Sequence, residues 1–250
     1  QGDARRGRRL VAQLRGEERA RYVSRMFGRI SRRYDLLNTV MTGGMHYAWR
    51  RLAAYDAVGS GLDGAALDVA CGTGDFAFDL ARKPSVEHVV GLDFVPEMLA
   101  LAKGKAARQG LSDRTDFSVG DAHALPFEDD SFVCVTVGFG VRNFIDVPRA
   151  LREMARVVQP GGRVVVLEIV RMEGKGLHNR ALPWCFQKVA PVLGAVLAGD
   201  SEAYSYLPQS VDEFLSARQL AEAMESAGLR DVRRRSLGMG MVAIVTGEVG

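Results

Sequence analysis

The sequence has few of the side chains that metal centres and disulfide frameworks require. Its 250 residues include three cysteines and four histidines. Cys71, Cys134 and Cys185 lie far apart and form no spacing typical of zinc binding or redox exchange. No two histidines have the helical spacing of a metal site. The sequence therefore predicts no metal cofactor, and its isolated thiols suit a reducing cytoplasm.

Long apolar runs are also absent. No stretch approaches the roughly 18 uninterrupted apolar residues of a membrane span. The arginine-rich start is not followed by the apolar segment of a secretory signal. We therefore expect a cytoplasmic protein, and the apolar content of 47% is typical of a domain with a full core.

Negative charge is scarce at the start of the chain. Residues 1–35 contain eleven arginines and four acids, a net charge of +7, which leaves −4 for the remainder. The composition predicts a flexible basic arm over residues 1–16, followed by a single domain over 17–250. Such an arm favours attachment to an anionic membrane surface, and nucleic acid is the less favoured partner. A solvated, frayed terminus explains the same composition.

Strand and helix patterns alternate along most of the chain. Predicted strands cover residues 65–70, 86–92, 115–119, 131–137, 163–169, 230–235 and 241–246. Predicted helices cover residues 17–37, 46–58, 75–81, 96–109, 147–158 and 216–227. This alternation predicts an α/β fold, with a mostly parallel seven-stranded sheet, helices on both faces, and ligands at the carboxyl ends of the strands.

One segment interrupts the alternation after the fifth predicted strand. Residues 177–198 are apolar on most sides and are broken by Pro183, Pro191 and Gly194. We expect a helical lid here, inserted over about residues 174–207, which would suit an apolar substrate. Core packing or a homodimer interface explains the same pattern.

The first predicted strand ends in a glycine-rich turn, Gly72-Thr73-Gly74. Its spacing, with Ala77 three residues after Gly74 and Asp93 about twenty residues after Gly72, fits the dinucleotide-binding fingerprint. Taken alone, the pattern does not separate a nicotinamide cofactor from S-adenosylmethionine (SAM).

The acids beside the turn favour SAM. Asp68 and Asp75 flank the glycines, where a pyrophosphate would need neutral or positive surroundings. SAM carries an ammonium and a sulfonium, which carboxylates attract.

Two further acids follow successive strands. Asp93 follows the second strand, where a carboxylate can accept both ribose hydroxyls. Asp121 follows the third, where it can accept the exocyclic amine of adenine while the backbone N–H of Ala122 reaches a ring nitrogen. The spacing therefore predicts a nucleoside site.

A glycine-rich loop with two polar side chains follows the fourth strand. Arg142 can stabilise the anion of a phenol or enol, and Asn143 can hydrogen-bond an oxygen. Pairing of Arg142 with a local acid such as Asp146 is the alternative. His46 and His123 are weaker candidates for a base.

With these residues in place, the chain resembles the class I SAM-dependent methyltransferases, whose Rossmann-like fold matches the predicted one. Within them it is similar to the ubiquinone/menaquinone biosynthesis C-methyltransferase family. The stretches that carry the resemblance are residues 27–38, 67–75, 139–144, 160–162 and 199–208.

The resemblance implies C-methylation of a polyprenyl hydroquinol ring, either demethylmenaquinol or the related benzoquinol, with S-adenosylhomocysteine as the second product. Thr73, Asp93, Asp121 and Ala122 fall on the family's SAM contacts. Gly138 stands where the family often has a serine. The set expected to hold the cofactor is Asp68, Gly72, Thr73, Gly74, Asp93, Asp121, Ala122 and Gly138. The set expected to orient and polarise the substrate is Tyr34, Arg142 and Asn143, with Asp121 holding a water.

Other functions stay open at this stage. A methyltransferase acting on a secondary metabolite, a nicotinamide oxidoreductase, and a non-catalytic SAM-binding component of quinone assembly would share the glycine turn. Tighter binding of NAD than of SAM would identify the oxidoreductase. SAM binding without turnover would identify the non-catalytic component.

Overall fold

The computed structural model describes residues 16–173 and 201–250. The predicted arm over residues 1–16, except for its last residue, and most of the predicted lid lie outside the described residues. Helices and strands are numbered below in chain order among the described residues.

The predicted alternation of helices and strands is confirmed. The helices are α1 (Gly16–Thr42), α2 (Met45–Ala57), α3 (Asp75–Ala81), α4 (Pro96–Gln109), α5 (Val147–Arg156), α6 (Ser201–Asp212) and α7 (Ala217–Ser226). The strands are β1 (Gly64–Val69), β2 (Val86–Asp93), β3 (Thr115–Val119), β4 (Phe132–Gly138), β5 (Val158–Ile169), β6 (Leu229–Leu237) and β7 (Val242–Val249).

The strands form one seven-stranded sheet in the order β3-β2-β1-β4-β5-β7-β6. Strands β1 to β5 pair in parallel, and β7 runs antiparallel to both β5 and β6. The central strand β4 is buried along all but its last residue, as expected for a parallel strand covered on both faces. The predicted mostly parallel, Rossmann-like sheet is confirmed.

Two predicted boundaries are wrong. Helix α1 continues to Thr42, where Gly43 and Gly44, with φ of 57° and 77°, end it. Strand β5 begins at Val158, before Pro160, because Val158 pairs with Phe132 and the register then shifts. The predicted end of the fifth helix is therefore the start of a strand.

Helices cover the sheet on both faces. One apolar cluster joins α2, α3 and α4 to one face, and another joins α5 and α7 to the opposite face. Helix α1 packs across α4 and α6, with Val23, Met26, Ile30, Leu37 and Tyr206 in a third cluster. This arrangement places α1 close to the carboxyl ends of the parallel strands.

Among the described residues, no helix is long and apolar enough to cross a bilayer. No group of three or more His, Cys, Asp or Glu side chains in residues 16–173 and 201–250 is placed to hold a metal ion. Cys71 and Cys134 are buried free thiols, as their apolar context predicts.

Candidate functional site

Two cavities lie at the carboxyl ends of the strands. The larger, of about 390 Å³, follows β1, β2 and β3 and is lined by Val69, Ala70, Leu92, Asp93, Phe94, Val119, Gly120, Asp121, Ala122, His123, Asn143, Phe144 and Ile145. The smaller, of about 50 Å³, is lined by Phe27, Tyr34, Ala70, Gly72, Asp93, Phe94, Val95, Met98, Gly138, Phe139, Gly140, Asn143 and Phe144. Because five residues line both, the cavities form one site with two compartments.

The backbone is strained where the cavities meet. Ala70 and Phe139 both adopt the left-handed conformation, with φ of 53° and 59°. Gly140 packs against this turn so closely that a Cβ on it would lie 2.7 Å from the Cβ of Ala70. Each non-glycine residue in this conformation costs about 1–2 kcal/mol, and such strain concentrates at functional sites. The two loops therefore depend on a glycine at position 140.

Asp93 lines both cavities. Its Oδ2 accepts the backbone N–H of Gly72 at 2.8 Å, and its Oδ1 accepts that of Val95 at 2.9 Å. Burial raises the pKa of the carboxyl, and these backbone hydrogen bonds oppose the rise. A carboxylate has about four acceptor sites. The backbone N–H of Phe94 also hydrogen-bonds the carboxylate, so part of this capacity remains for a ligand, and the ribose contact stays a prediction.

Asp121 is the second acid that lines the larger cavity. Its Oδ1 accepts the backbone N–H of His123 at 2.9 Å and also contacts Nδ1 of the His123 ring at 2.5 Å. Nε2 of that ring accepts the backbone N–H of Asp146 at 3.1 Å, which leaves Nδ1 as the protonated nitrogen. Burial raises the pKa of Asp121, but the hydrogen bonds from His123 outweigh it, and the pKa lies below its usual value. Asp121 is therefore an oriented carboxylate with Oδ2 left for a donor.

The predicted cofactor residues divide into two groups. Asp93, Asp121 and Ala122 line the larger cavity, and Gly72 and Gly138 line the smaller one. The remaining three, Asp68, Thr73 and Gly74, line neither cavity.

Each of these three has a role within the protein. Thr73 donates from Oγ1 to Oδ1 of Asp35 at 2.6 Å, which ties the glycine turn to α1. A Cβ on Gly74 would lie 2.9 Å from the Phe78 ring, so this glycine permits packing beneath the turn. Asp68 lies inside the sheet and accepts the Thr136 hydroxyl at 2.8 Å. Direct cofactor contact by these three stays a prediction.

The acids beside the turn, Asp68 and Asp75, do not line the cavities, contrary to the expectation that they attract the charges of SAM. Burial raises the pKa of Asp68 to about 7, and the residue is fully buried. Asp75 forms ion pairs with Arg50 at 3.1 Å and with Lys105. Neither carboxylate presents an uncompensated negative charge to the cavities, because one is buried and the other is paired. The acids that line the site are Asp93 and Asp121.

Arg142 pairs with an acid, although Asp146 is the wrong partner. Its Nη1 donates to Oε1 of Glu168 at 2.5 Å and to the carbonyl of Phe139 at 2.7 Å, and its backbone N–H donates to Glu168 at 3.2 Å. Both side chains are buried, with 5% and 0% of their surface exposed. Asp146 caps α5 by accepting the backbone N–H of Arg149. The buried pair therefore holds the loop after β4 in place.

The charge of Arg142 reaches a phenol of the protein, that of Tyr34. Burial raises the pKa of Tyr34, and although a hydrogen bond with Asn38 and the charge of Arg142 act to lower it, the pKa stays above its ordinary value. Tyr34 lines the smaller cavity, whereas Arg142 lines neither cavity. Polarisation of a substrate by Arg142 stays a prediction.

Asn143 lines both cavities and is oriented from α6. The Tyr206 hydroxyl donates to Oδ1 of Asn143 at 3.0 Å. Because Tyr206 occupies the carbonyl oxygen, the amide N–H groups of Asn143 are left to donate to a ligand. Asn143 is thereby placed where the two compartments meet.

His46 lies apart from both cavities. Its Nδ1 lies 2.7 Å from the Thr42 hydroxyl, at the junction of α1 and α2, and the side chain is buried. Burial, with a smaller contribution from Arg50, lowers its pKa to about 4. Because His46 is buried at this junction and lines neither cavity, it is not placed to act as a catalytic base.

Sequence reasoning missed several side chains that organise the site. In the sequence, Glu168 appears only as an acid near the end of a strand, and Tyr206 only as an aromatic residue of a helix, so neither is singled out. The Lys105 ammonium, which hydrogen-bonds Asp35 at 2.9 Å and Thr73 at 3.2 Å, lies on α4. An acid on an otherwise apolar strand is the one local signal that points to Glu168, since a buried charge needs a partner.

The residues around the larger cavity fit SAM. Asp93 and Asp121 supply acceptor oxygens, and most of the other lining residues are apolar, with Phe94, Val119 and Ile145 among them. A nucleoside needs this combination of acceptors for its hydroxyls and amine and apolar surface for its base.

Comparison with known proteins identifies close relatives. A model of the ubiE/COQ5 methyltransferase family matches residues 14–248. The chain is 45% identical over 232 residues to a demethylmenaquinone methyltransferase of Deinococcus radiodurans, covering 93% of this chain and 94% of the relative. It is 39% identical over 244 residues to the ubiquinone/menaquinone biosynthesis C-methyltransferase UbiE of Geobacter sulfurreducens, covering 97% of this chain and 94% of the relative.

Solved structures with this fold are more distant in sequence. The cyclase SpnF is 23% identical with a TM-score of 0.66, covering 91% of this chain and 96% of its own. A SAM-dependent methyltransferase from Aquifex aeolicus is 19% identical with a TM-score of 0.55, covering 76% of this chain and 86% of its own. These likenesses show the fold alone.

Proposed function

The chain belongs to the ubiE/COQ5 methyltransferase family, and we propose that it transfers the methyl group of SAM to a ring carbon of demethylmenaquinol. The products are menaquinol and S-adenosylhomocysteine. The naphthoquinol ring is favoured over a benzoquinol because relatives with 45% and 44% identity are named demethylmenaquinone methyltransferases.

One observation carries the proposal. The site has a compartment of about 390 Å³ with nucleoside-binding chemistry and a second compartment lined by Phe27, Tyr34 and Phe139. Asn143 and Phe144 border both. The nucleoside of SAM would occupy the first compartment, and the part that carries the methyl group would extend past Gly72 towards the second. An acceptor ring beside Tyr34 and Phe139 would then meet the methyl group near Asn143.

Residues at the carboxyl ends of β1, β2 and β3 would bind the cofactor. Asp93 holds the ribose hydroxyls, Asp121 and Ala122 hold the adenine, and Gly72 allows close approach because its Cβ position is open. When bound, SAM supplies an electrophilic methyl group. Asp68, Thr73 and Gly74 support this surface from beneath through the contacts described above.

The substrate ring needs activation before its carbon can attack. A ring carbon beside a hydroxyl becomes nucleophilic when that hydroxyl loses its proton, since the phenolate delivers electron density to the carbon. The Asn143 amide, held by Tyr206, donates to the substrate oxygen and stabilises that anion. The same hydrogen bond orients the ring, so that positioning contributes to the rate.

Tyr34 and Arg142 lie on the side of the substrate hydroxyl in this proposal. Burial outweighs the charge of Arg142 and keeps the Tyr34 phenol protonated, so this phenol would donate a hydrogen bond to the substrate oxygen and stabilise its anion, while water takes the hydroxyl proton. Glu168 compensates the arginine, and the field at the substrate is therefore weaker than that of a free cation.

The last step is loss of the proton from the methylated ring carbon. A water removes this proton. Asp121 has 67% of its side chain exposed, but its remaining oxygen Oδ2 is assigned to the adenine amine, so the water comes from the solvent that reaches the larger compartment.

The substrate carries a polyprenyl tail and resides in a bilayer, so the protein works at the membrane surface from the cytoplasm. In this proposal the basic arm contributes to this attachment. Removal of residues 1–15 should weaken binding to anionic vesicles at low salt without lowering activity on a short-tailed quinol, as measured by vesicle pelleting and methyl transfer.

The experiment that tests the function is methyl transfer from labelled SAM to short-tailed analogues of demethylmenaquinol and of the benzoquinol, each reduced and oxidised. We expect a carbon-methylated product from the reduced naphthoquinol. The Asn143→Ala variant should lower kcat by roughly 100-fold while leaving SAM affinity near native. Methylation of the oxidised ring, transfer to oxygen, or preference for the benzoquinol would contradict the assignment.

A further inference from the structure

The exposed side of α1 carries a continuous stripe of arginines that ends in apolar residues. The stripe consists of Arg21, Arg25, Arg29, Arg32, Leu36 and Val40. These positions follow one another at intervals of three or four residues, so they share one helix face. All six are exposed in the described part of the chain, and we refer to them as the outer face of α1.

The apolar end of the outer face continues onto α2. Leu36 and Val40 are 53% and 42% exposed, and Met45 and Tyr47 at the start of α2 are 51% and 39% exposed. The Tyr47 hydroxyl lies 3.1 Å from the Thr39 hydroxyl, which holds it beside the end of α1. Exposed apolar side chains grouped in this way mark an interaction surface.

The opposite side of the same helix faces the site. At about 100° per residue, Phe27 and Tyr34 lie roughly 180° from Arg25 and Leu36 around the helix axis. Phe27 and Tyr34 line the smaller cavity. One helix therefore separates the outer face from the smaller cavity, beside which the substrate ring is proposed to lie, a distance of about 10 Å.

We propose that the outer face of α1, with Met45 and Tyr47, docks on an anionic lipid bilayer. Charge complementarity favours this occupant, because arginines attract anionic headgroups while apolar residues at one end enter the headgroup boundary. This docking rests on the proposed function in one respect. It would bring a prenylated substrate in the bilayer to within one helix of the site. The surface itself is defined by exposed residues of α1 and α2.

Charge reversal in the full-length chain tests the docking. Arg25→Glu/Arg32→Glu changes two exposed residues of the outer face, neither of which lines a cavity. Its affinity for vesicles of phosphatidylglycerol should fall by roughly 30-fold or more, since each arginine near an anionic surface contributes a factor of about five. Pelleting without any quinol measures this, so the result does not depend on methyl transfer.

The chain offers a matched control on the sheet edge. Arg233→Glu/Arg234→Glu alters two exposed residues of β6 and changes the net charge by the same amount. This control should retain near-native vesicle binding, and both double variants should methylate a short-tailed soluble quinol at the native rate. If the native protein methylates no quinol but binds vesicles through the outer face, the proposed function fails and the docking stands.

The apolar end gives a second, independent test. Leu36→Ser/Val40→Ser should weaken vesicle binding roughly tenfold, because these side chains enter the bilayer boundary. Equal vesicle binding by the two charge-reversed variants would overturn the proposal, as would equal binding of the native protein to phosphatidylglycerol and phosphatidylcholine vesicles. Loss of DNA binding with retained vesicle binding in Arg25→Glu/Arg32→Glu would also overturn it.

Discussion

At the scale of single residues, the Asp93 carboxylate connects the fold to the proposed cofactor site. Hydrogen bonds from Gly72 and Val95 hold it at the end of β2, and the acceptor capacity that remains faces the cavity. The residue is therefore buried for a structural reason and available to a ligand on one side only. Loss of its side chain affects both tasks.

The Asp93→Ala variant should lower SAM affinity by one to two orders of magnitude, about 1.5–3 kcal/mol, because two ribose hydroxyls lose a charged acceptor. Isothermal calorimetry measures the change. Asp116→Ala removes an acid from β3 with 80% of its side chain exposed and serves as the control with native affinity expected. Unchanged SAM binding in Asp93→Ala, or tighter binding of NAD than of SAM by the native protein, would contradict the cofactor assignment.

The buried pair of Arg142 and Glu168 predicts a clear change in stability. Arg142→Met leaves the Glu168 carboxylate buried without its cation and should lower the free energy of unfolding by about 3–5 kcal/mol. Arg142→Met/Glu168→Gln should recover at least half of that loss, because a neutral amide still accepts the backbone N–H groups. Urea denaturation measures both variants.

An exposed ion pair serves as the control for the buried pair. Arg218 pairs with Glu173 and Glu222 at the surface, where about half of each side chain is exposed. Arg218→Met should cost less than about 1 kcal/mol. A loss in Arg142→Met no larger than in Arg218→Met would show that the buried pair does not stabilise the loop.

At the scale of secondary-structure elements, α1 connects the site to the rest of the molecule. Asp35 accepts hydrogen bonds from Thr73 at 2.6 Å and from Lys105 at 2.9 Å, which joins α1 to the glycine turn and to α4. At its carboxyl end, Thr42 contacts His46 across the glycine break into α2. Helix α1 is thus held by hydrogen bonds both at the site and at the glycine break before α2.

The junction of α1 and α2 should be sensitive to acid. With a pKa near 4 in the folded protein and about 6.5 when unfolded, His46 binds a proton more tightly in the unfolded chain. Stability is therefore retained above pH 6.5 and falls as the pH drops towards 4, by about 3 kcal/mol. The difference in unfolding free energy between the native protein and His46→Gln, measured across this range, isolates the effect. A constant difference would exclude a contribution from His46.

At the scale of the whole molecule, apolar patterning accounts for the sheet and its helices. Buried runs such as that of β4 and glycine breaks such as Gly43-Gly44 are local signals, and the elements that they predict are confirmed. The start of β5 at Val158 was not predictable in this way, because pairing with Phe132 overrides the signal of Pro160.

The contacts that organise the site are less accessible to sequence reasoning. Arg142 and Glu168 are 26 residues apart, and Asn143 and Tyr206 are 63 apart, so no local pattern connects them. The strand-end acids Asp93 and Asp121 were predictable because parallel strands end at one edge. The pairing of Asp75 with Arg50 and Lys105 depends on how α2 and α4 pack, which the local sequence does not specify.

The central claim is that this chain adds a methyl group to a demethylmenaquinol ring with SAM bound at Asp93. Mass spectrometry of the quinone pool in cells lacking this protein tests it most directly, with the native gene and the Asp93→Ala form returned separately. We predict that the deficient cells accumulate demethylmenaquinone, that the native gene restores menaquinone, and that Asp93→Ala restores little. An unchanged menaquinone pool in the deficient cells, or full restoration by Asp93→Ala, would contradict the account.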